Sequence, residues 1–188
     1  YVRMIKLSGK RLLRARLHPR SRPASSFLLL LLPLTASADT PSFTSHVITT
    51  SADALRSVYA ADVDGDGDMD ILSAAAGDDK VAWYENDGSE SFTEHVISTS
   101  AAGVRSVYAA DMDGDGDMDV LSASQTDNKV AWYENDGSES FTEHVISTSA
   151  NGAMSVHAAD LDGDGDMDAL SASHTNNKVA WYENDGSG

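Results

Sequence analysis

Asp62-Val63-Asp64-Gly65-Asp66-Gly67-Asp68-Met69-Asp70 puts five carboxylates at alternate positions within nine residues. The arrangement returns at Asp111, Asp113, Asp115, Asp117 and Asp119, and again at Asp160, Asp162, Asp164, Asp166 and Asp168. Like charges at this density repel one another and call for a cation among them. Hard carboxylate oxygens suit a hard cation. Acids at the first, third, fifth and ninth places, with Gly at the sixth, match the front of a calcium loop. The spacing assigns side-chain ligands to Asp62, Asp64, Asp66 and Asp70, and a backbone carbonyl ligand to Asp68. Gly67 permits the tight turn that wraps the chain around the ion. The expected cofactor is therefore Ca2+. A full EF-hand also needs Glu at the twelfth place, which here is Ser73, and helices on both sides, where this sequence reads as strand. A solvated acidic turn without metal is the plain alternative, and three copies in one setting weigh against it.

The elements that must position these loops repeat with a period of 49 from Phe43, with Phe92 and Phe141 marking later starts and Trp83, Trp132 and Trp181 at equal offsets. Such a period indicates a repeat architecture in which each unit is one supersecondary element. The units run over residues 43–91, 92–140 and 141–188. Within a unit, Ser57–Asp62, Asp70–Ala75, Lys80–Glu85 and Phe92–Ile97 read as strands, rich in Val, Ile, Tyr, Trp and Thr and bounded by Gly/Asp/Asn/Ser turns. Short connections make neighbours pair antiparallel as a meander. No helical period of adequate length appears after residue 39. The fold class is all-β, built of four-stranded β-propeller blades. A calcium-binding β-solenoid is disfavoured, because its Gly-Gly-x-Gly-x-Asp repeats are missing and 49 residues far exceed one of its turns.

The pattern Ala-Ala-Asp-Val-Asp-Gly-Asp-Gly-Asp-Met-Asp-Ile-Leu-Ser, followed by Lys-Val-Ala-Trp-Tyr-Glu-Asn-Asp-Gly, resembles FG-GAP/VCBS-type repeats, relatives of the integrin α-subunit propeller blades. The resemblance covers residues 43–188. It implies that each acidic loop joins the first two strands of a blade and binds calcium through its Asp residues. Propellers of that family usually have seven blades, whereas this chain has three units. Closure is therefore expected through further blades or through homo-oligomerisation.

Composition bounds the rest. The chain has 188 residues and no cysteine, which removes disulfides, thiolate metal sites and thiol nucleophiles. Residues 1–38 carry eight Lys/Arg and no acid; residues 39–188 carry five Lys/Arg against thirty acids, a formal charge of −25. Such a surface disfavours nucleic acid and anionic membranes as partners. The basic stretch, the apolar run Phe27–Leu34 and the small-x-small sequence Ala36-Ser37-Ala38 read as a signal peptide over residues 1–38, cut before Asp39. The apolar run is too short to span a bilayer. Secretion to the extracellular space is the expectation.

No catalytic set emerges. Gly-x-Ser-x-Gly is missing, the Gly residues alternate with Asp in a way that repels phosphate, and most carboxylates belong to the acidic loops. Trp83-Tyr84 and its equivalents read as packing between blades in preference to a sugar platform. His46, His95 and His144 recur at one strand position and read as structural. His157 and His174, unique to the third copy, read as drift. Two faces of a blade nevertheless differ. The acidic loops and Asn-Asp-Gly-Ser turns hardly vary, so substitutions at Asn86-Asp87-Gly88-Ser89 are expected to leave binding and stability alone. The opposite loops, residues 76–79, 125–128 and 174–177, do vary, as do the blade-to-blade connections beside them. Variable loops on a rigid scaffold are where binding resides. Gln125, Asn128, His174 and Asn177 are accordingly expected to serve recognition without affecting stability. The sequence thus reads as a secreted calcium-binding module for extracellular binding or adhesion to protein or carbohydrate, and not as an enzyme. A propeller part of a polysaccharide-acting lyase or hydrolase, or a structural spacer array, are the alternatives; Arg56 and Arg105 are the only arginines available to the former.

Overall fold

β-branched and aromatic residues in runs of five to seven, separated by turns of Gly, Asp and Asn, let each strand fold back on its predecessor. A computed structural model describes residues 40–186, and all strands lie in the unit that starts at Thr44. The leader expected over residues 1–38 lies outside the described residues. Eleven strands form among the described residues: β1 Leu55–Ala61, β2 Asp70–Ala75, β3 Lys80–Asn86, β4 Phe92–Ser98, β5 Val104–Ala110, β6 Asp119–Ser124, β7 Lys129–Asn135, β8 Phe141–Ser147, β9 Ala153–Ala159, β10 Asp168–Ser173 and β11 Lys178–Tyr182. They pair antiparallel in chain order, as β1-β2-β3-β4, β5-β6-β7-β8 and β9-β10-β11. The described residues contain no helix.

These three sheets are the blades, and their limits differ from those of the sequence units. Phe92 and Phe141 start the units 92–140 and 141–188, yet they open the last strands of the first and second sheets. Hydrogen bonding thus assigns each Phe-Thr-Glu-His-Val-Ile strand to the blade before it, pairing Trp83 with His95 and Trp132 with His144. The third blade has three strands among the described residues, β9 to β11. Residues 43–48, whose sequence copies β4 and β8, carry no strand. Asp62, expected to end the first strand, falls just beyond β1.

Apolar side chains from facing sheets fill the two inter-blade layers. Leu72, Val81, Trp83, Val104, Val120 and Tyr133 are buried between the first and second blades. Leu121, Val130, Ala150, Ala153 and Val156 are buried between the second and third. Burial on this scale supplies most of the stabilisation, at about 25 cal/mol per Å² of apolar surface. The first strands of successive blades lie side by side, and an aromatic row crosses them. Tyr59 and Tyr108 have ring centroids 4.6 Å apart, and Tyr108 and His157 4.1 Å apart. His157 therefore continues a row of tilted rings where drift alone was expected.

Candidate metal centre

Each acidic loop leaves the end of a blade's first strand and returns at the first residue of its second, so strand pairing fixes both ends. Ala61 pairs with Asp70, Ala110 with Asp119 and Ala159 with Asp168. Between these anchors the loop is turned by its own carboxylates. Asp62 accepts from Gly65 N through Oδ1 at 2.9 Å and from Gly67 N through Oδ2 at 3.1 Å. Asp64 accepts from Asp66 N at 3.1 Å, and Asp66 from Asp68 N at 2.8 Å. Gly65 and Gly67 have φ of 77° and 98°, left-handed values that a side chain would strain. The same bonds recur in the loops of the second and third blades.

This winding converges ligand atoms. One oxygen each from Asp62, Asp64 and Asp66 lie within 4.8 Å of one another, as do those of Asp111, Asp113 and Asp115. In the third loop the converging set is Asp160, Asp162 and Asp168. The donors are all hard oxygens, the set that suits calcium. Among the described residues, no Lys, Arg or His forms an ion pair with these carboxylates.

One expected ligand per loop also holds the scaffold. Asp70, Asp119 and Asp168 are fully buried. Asp70 accepts from Val63 N through Oδ2 and from Asn86 N through Oδ1, both at 2.8 Å. Asp119 likewise receives Met112 N and Asn135 N at 2.8 Å. Asp168 receives Leu161 N at 2.9 Å and Asn184 N at 2.8 Å. The carboxylate at the ninth place therefore ties the loop to the end of the third strand. Asp68, Asp117 and Asp166 lie outside the converging sets. Asp68 rests against Gly88, where an added Cβ would fall 2.5 Å from its Oδ2. In the third loop, Asp164 stands outside the set as well.

Burial and mutual repulsion shift these carboxyls. Desolvation pushes Asp119 up to about 6; the N–H bonds from Asn135 and Met112 oppose the rise, and the charges of Asp113 and Asp115 add to it. Asp70 is raised for the same first reason. Asp64 and Asp113 are raised by partial desolvation and by the acids around them. Asp168 is instead lowered, chiefly by the Asn184 N–H, with the Leu161 N–H and Trp181 adding to the effect and desolvation opposing it. Carboxylates that are costly to keep charged together gain most when a cation joins them.

The sequence reading missed one partner of these loops. Asn86, Asn135 and Asn184 belong to the Trp-Tyr-Glu-Asn-Asp-Gly turn; the expectation of silent substitutions concerned its first copy, Asn86-Asp87-Gly88-Ser89. Asn135 Nδ2 donates to Val63 O at 3.1 Å and to Met118 O at 3.3 Å, and Asn184 Nδ2 to Met112 O at 2.7 Å. Each bonds the acidic loop of the preceding blade, a contact that no local pattern announces. Invariance of the Asn in all three turns was the available signal.

On the opposite face, the second-to-third-strand loops bond the connections that enter the same blade, through Gln125 N to Gly103 O at 3.1 Å and His174 N to Gly152 O at 2.9 Å. The expected grouping of the variable segments is therefore correct. Two of the four residues expected to act purely in recognition are engaged within the fold. Asn128 has φ 60° and accepts Gly152 N–H through Oδ1 at 2.8 Å, and Gln125 Oε1 accepts from Arg105 Nε at 2.7 Å and from its Nη2. His174 and Asn177 are exposed. The tryptophans behave as packing residues in the first two blades, where Trp83 and Trp132 stack on His95 and His144 with centroids 4.6 Å apart. Those histidines also bond Glu85 at 2.8 Å and Glu134 at 2.7 Å. No helix among the described residues is long and apolar enough to cross a membrane.

A family model described as FG-GAP-like repeat matches residues 62–122 and 111–171, each span running from one acidic loop into the second strand of the next blade. No curated protein matches the chain.

Proposed function

The chain belongs to the FG-GAP-like repeat family, and from that premise we propose that it is a secreted, calcium-stabilised β-propeller module whose variable face binds an extracellular protein or glycan. The observation that carries the reading is the convergence of three Asp carboxylates in each of three equivalent loops, with no cationic side chain paired to them among the described residues. Asp62, Asp64 and Asp66, with Asp111, Asp113 and Asp115 and with Asp160, Asp162 and Asp168, would hold the ions. Asp70 and Asp119 close their loops from below, and Asp68, Asp117 and Asp166 offer backbone carbonyls. A bound ion supplies charge neutralisation and loop order. The metal face is structural, which leaves recognition to the variable face, where exposed His174 and Asn177 stand.

The module is read as non-enzymatic. The His–Glu pairs, a constellation suggestive of acid–base work, recur on the same strand pair of two blades with a Trp stacked on each His. Recurrence of that kind supports packing. Calcium titration of chelator-treated protein tests the proposal. Three sites of about 10⁻⁴–10⁻³ M dissociation constant, the range of extracellular modules, are expected. Heat of binding no greater than that of a buffer blank would remove the metal reading. Capture of the calcium-loaded protein on glycan and ectodomain arrays tests the recognition reading.

A further inference from the structure

Asn135 and Asn184 each use one side-chain amide to hold two acidic loops at once. Asn135 Nδ2 donates to Val63 O in the first loop at 3.1 Å and to Met118 O in the second at 3.3 Å. Asn184 Nδ2 donates to Met112 O in the second loop at 2.7 Å and to Met167 O in the third at 3.2 Å. The carbonyls of Val63 and Met112 lead directly into Asp64 and Asp113, and those of Met118 and Met167 into Asp119 and Asp168. Each amide is oriented from its other side, because Asn135 Oδ1 accepts Gly137 N and Asn184 Oδ1 accepts Gly186 N, both at 3.3 Å. The main chain of the same asparagines continues the connection. Asn135 N donates to Asp119, whose other oxygen accepts Met112 N, and Asn184 N donates to Asp168, whose other oxygen accepts Leu161 N. Hydrogen bonds and the peptide units between them therefore run from the first loop through the second to the third.

We propose that this network makes the three metal sites bind cooperatively, with Asn135 linking the first site to the second and Asn184 the second to the third. The inference rests on the calcium reading above and adds a linkage between its sites. An empty loop keeps its carboxylates close against their mutual repulsion, which loosens it locally. Metal binding removes that repulsion and orders the loop, and the shared amide is ordered with it. When the neighbouring loop binds, part of its own ordering has already been done, so its binding is stronger. The linkage is reciprocal, as any equilibrium coupling must be. The loops then respond together, over a narrower range of calcium concentration than separate sites would.

Calorimetric titration of the chelator-treated full chain with calcium tests this, at a temperature where its melting curve shows it folded without metal. With one site filled, a neighbouring site is expected to bind at least about fivefold more tightly, giving a Hill coefficient above unity. Asn135→Ala should lower the coefficient by releasing the first site. Asn184→Ala, at a half-buried position, should do so by releasing the third. Both changes together should leave three independent sites. Asn86→Ala removes the same side chain where, among the described residues, it bonds only Met69 O of its own loop, and should keep the wild-type curve. Three independent sites in the wild type would overturn the linkage and leave the calcium reading standing, whereas heat no greater than a buffer blank removes both. Cooperativity that survives the double variant, or that Asn86→Ala abolishes as well, would overturn the asparagine route. So would a chelated chain that is unfolded at every temperature tried, since folding itself would then couple the sites.

Discussion

The side-chain amide of Asn135 donates to the carbonyl of Val63 at 3.1 Å, joining two blades across 72 positions of sequence. Val63 N–H in turn bonds Asp70, so the acidic loop of the first blade is held by both its own second strand and the next blade. Loop order and blade stacking are therefore coupled. Asn135→Ala is expected to cost about 1–3 kcal/mol, the range for leaving a buried polar group without its partner. Asn86→Ala should cost less, because among the described residues the Asn86 side-chain amide bonds Met69 O alone, within its own blade. Thermal melts of the two variants in calcium check the order.

Calcium should raise the melting temperature of the chain. Binding to the folded state alone stabilises by about 1.4 kcal/mol per site at ten times the dissociation constant. Asp64→Asn keeps an oxygen for the Asp66 N–H bond but removes one charged ligand. Calorimetric titration should then count two sites where the wild type has three. A wild-type count of three that survives this substitution would place the ions elsewhere.

The pH dependence should invert with calcium. Asp119 is raised from an ordinary 3.8 to about 6, so without metal the folded state holds its proton more tightly than the unfolded chain does. That contribution is fully present below about 4 and is lost as pH rises through about 6. Chelated protein should therefore be less stable at pH 7 than at pH 5 as far as this group decides. In saturating calcium, protons compete with the ion and the order reverses. Melting curves at the two pH values, each with calcium and with chelator, contain the four numbers needed.

The variable face should separate into structural and recognition positions. His174→Ala alters an exposed side chain and should change stability by less than about 0.5 kcal/mol while reducing ligand capture. Asn128→Ala should lower stability by about 1–2 kcal/mol, since it loses the bond to Gly152 N and must hold φ at 60° without an Asn. Equal melting temperatures for the two variants would refute the distinction.

Gly137 has φ 72°, and a Cβ there would sit 2.5 Å from Asp117 Oδ2. Gly137→Ala should thus displace Asp117 and strain the turn, at a cost of about 1 kcal/mol or more. Denaturant melts in calcium measure it, and a cost below about 0.3 kcal/mol would show that the turn adjusts freely.

Much of this architecture is local and was therefore readable from the chain itself. Strands, turns and acidic loops depend on neighbours a few positions away, and the 49-residue period repeats those neighbours three times. The meander followed from connections too short for any other pairing, and the converging sets Asp62, Asp64, Asp66 and Asp111, Asp113, Asp115 followed from spacing within one turn. What distinguishes equal sequences is tertiary. Trp83 is 1% exposed and Trp181 47% in the same Lys-Val-Ala-Trp-Tyr context, because a blade packs over one and not over the other. The grip of Asn135 on Val63 and the anchoring of Asn128 both join segments brought together by the fold. Periodicity tells which residues are equivalent; only the stacking of blades decides which equivalent residues share an environment, because burial is set by what lies across an interface.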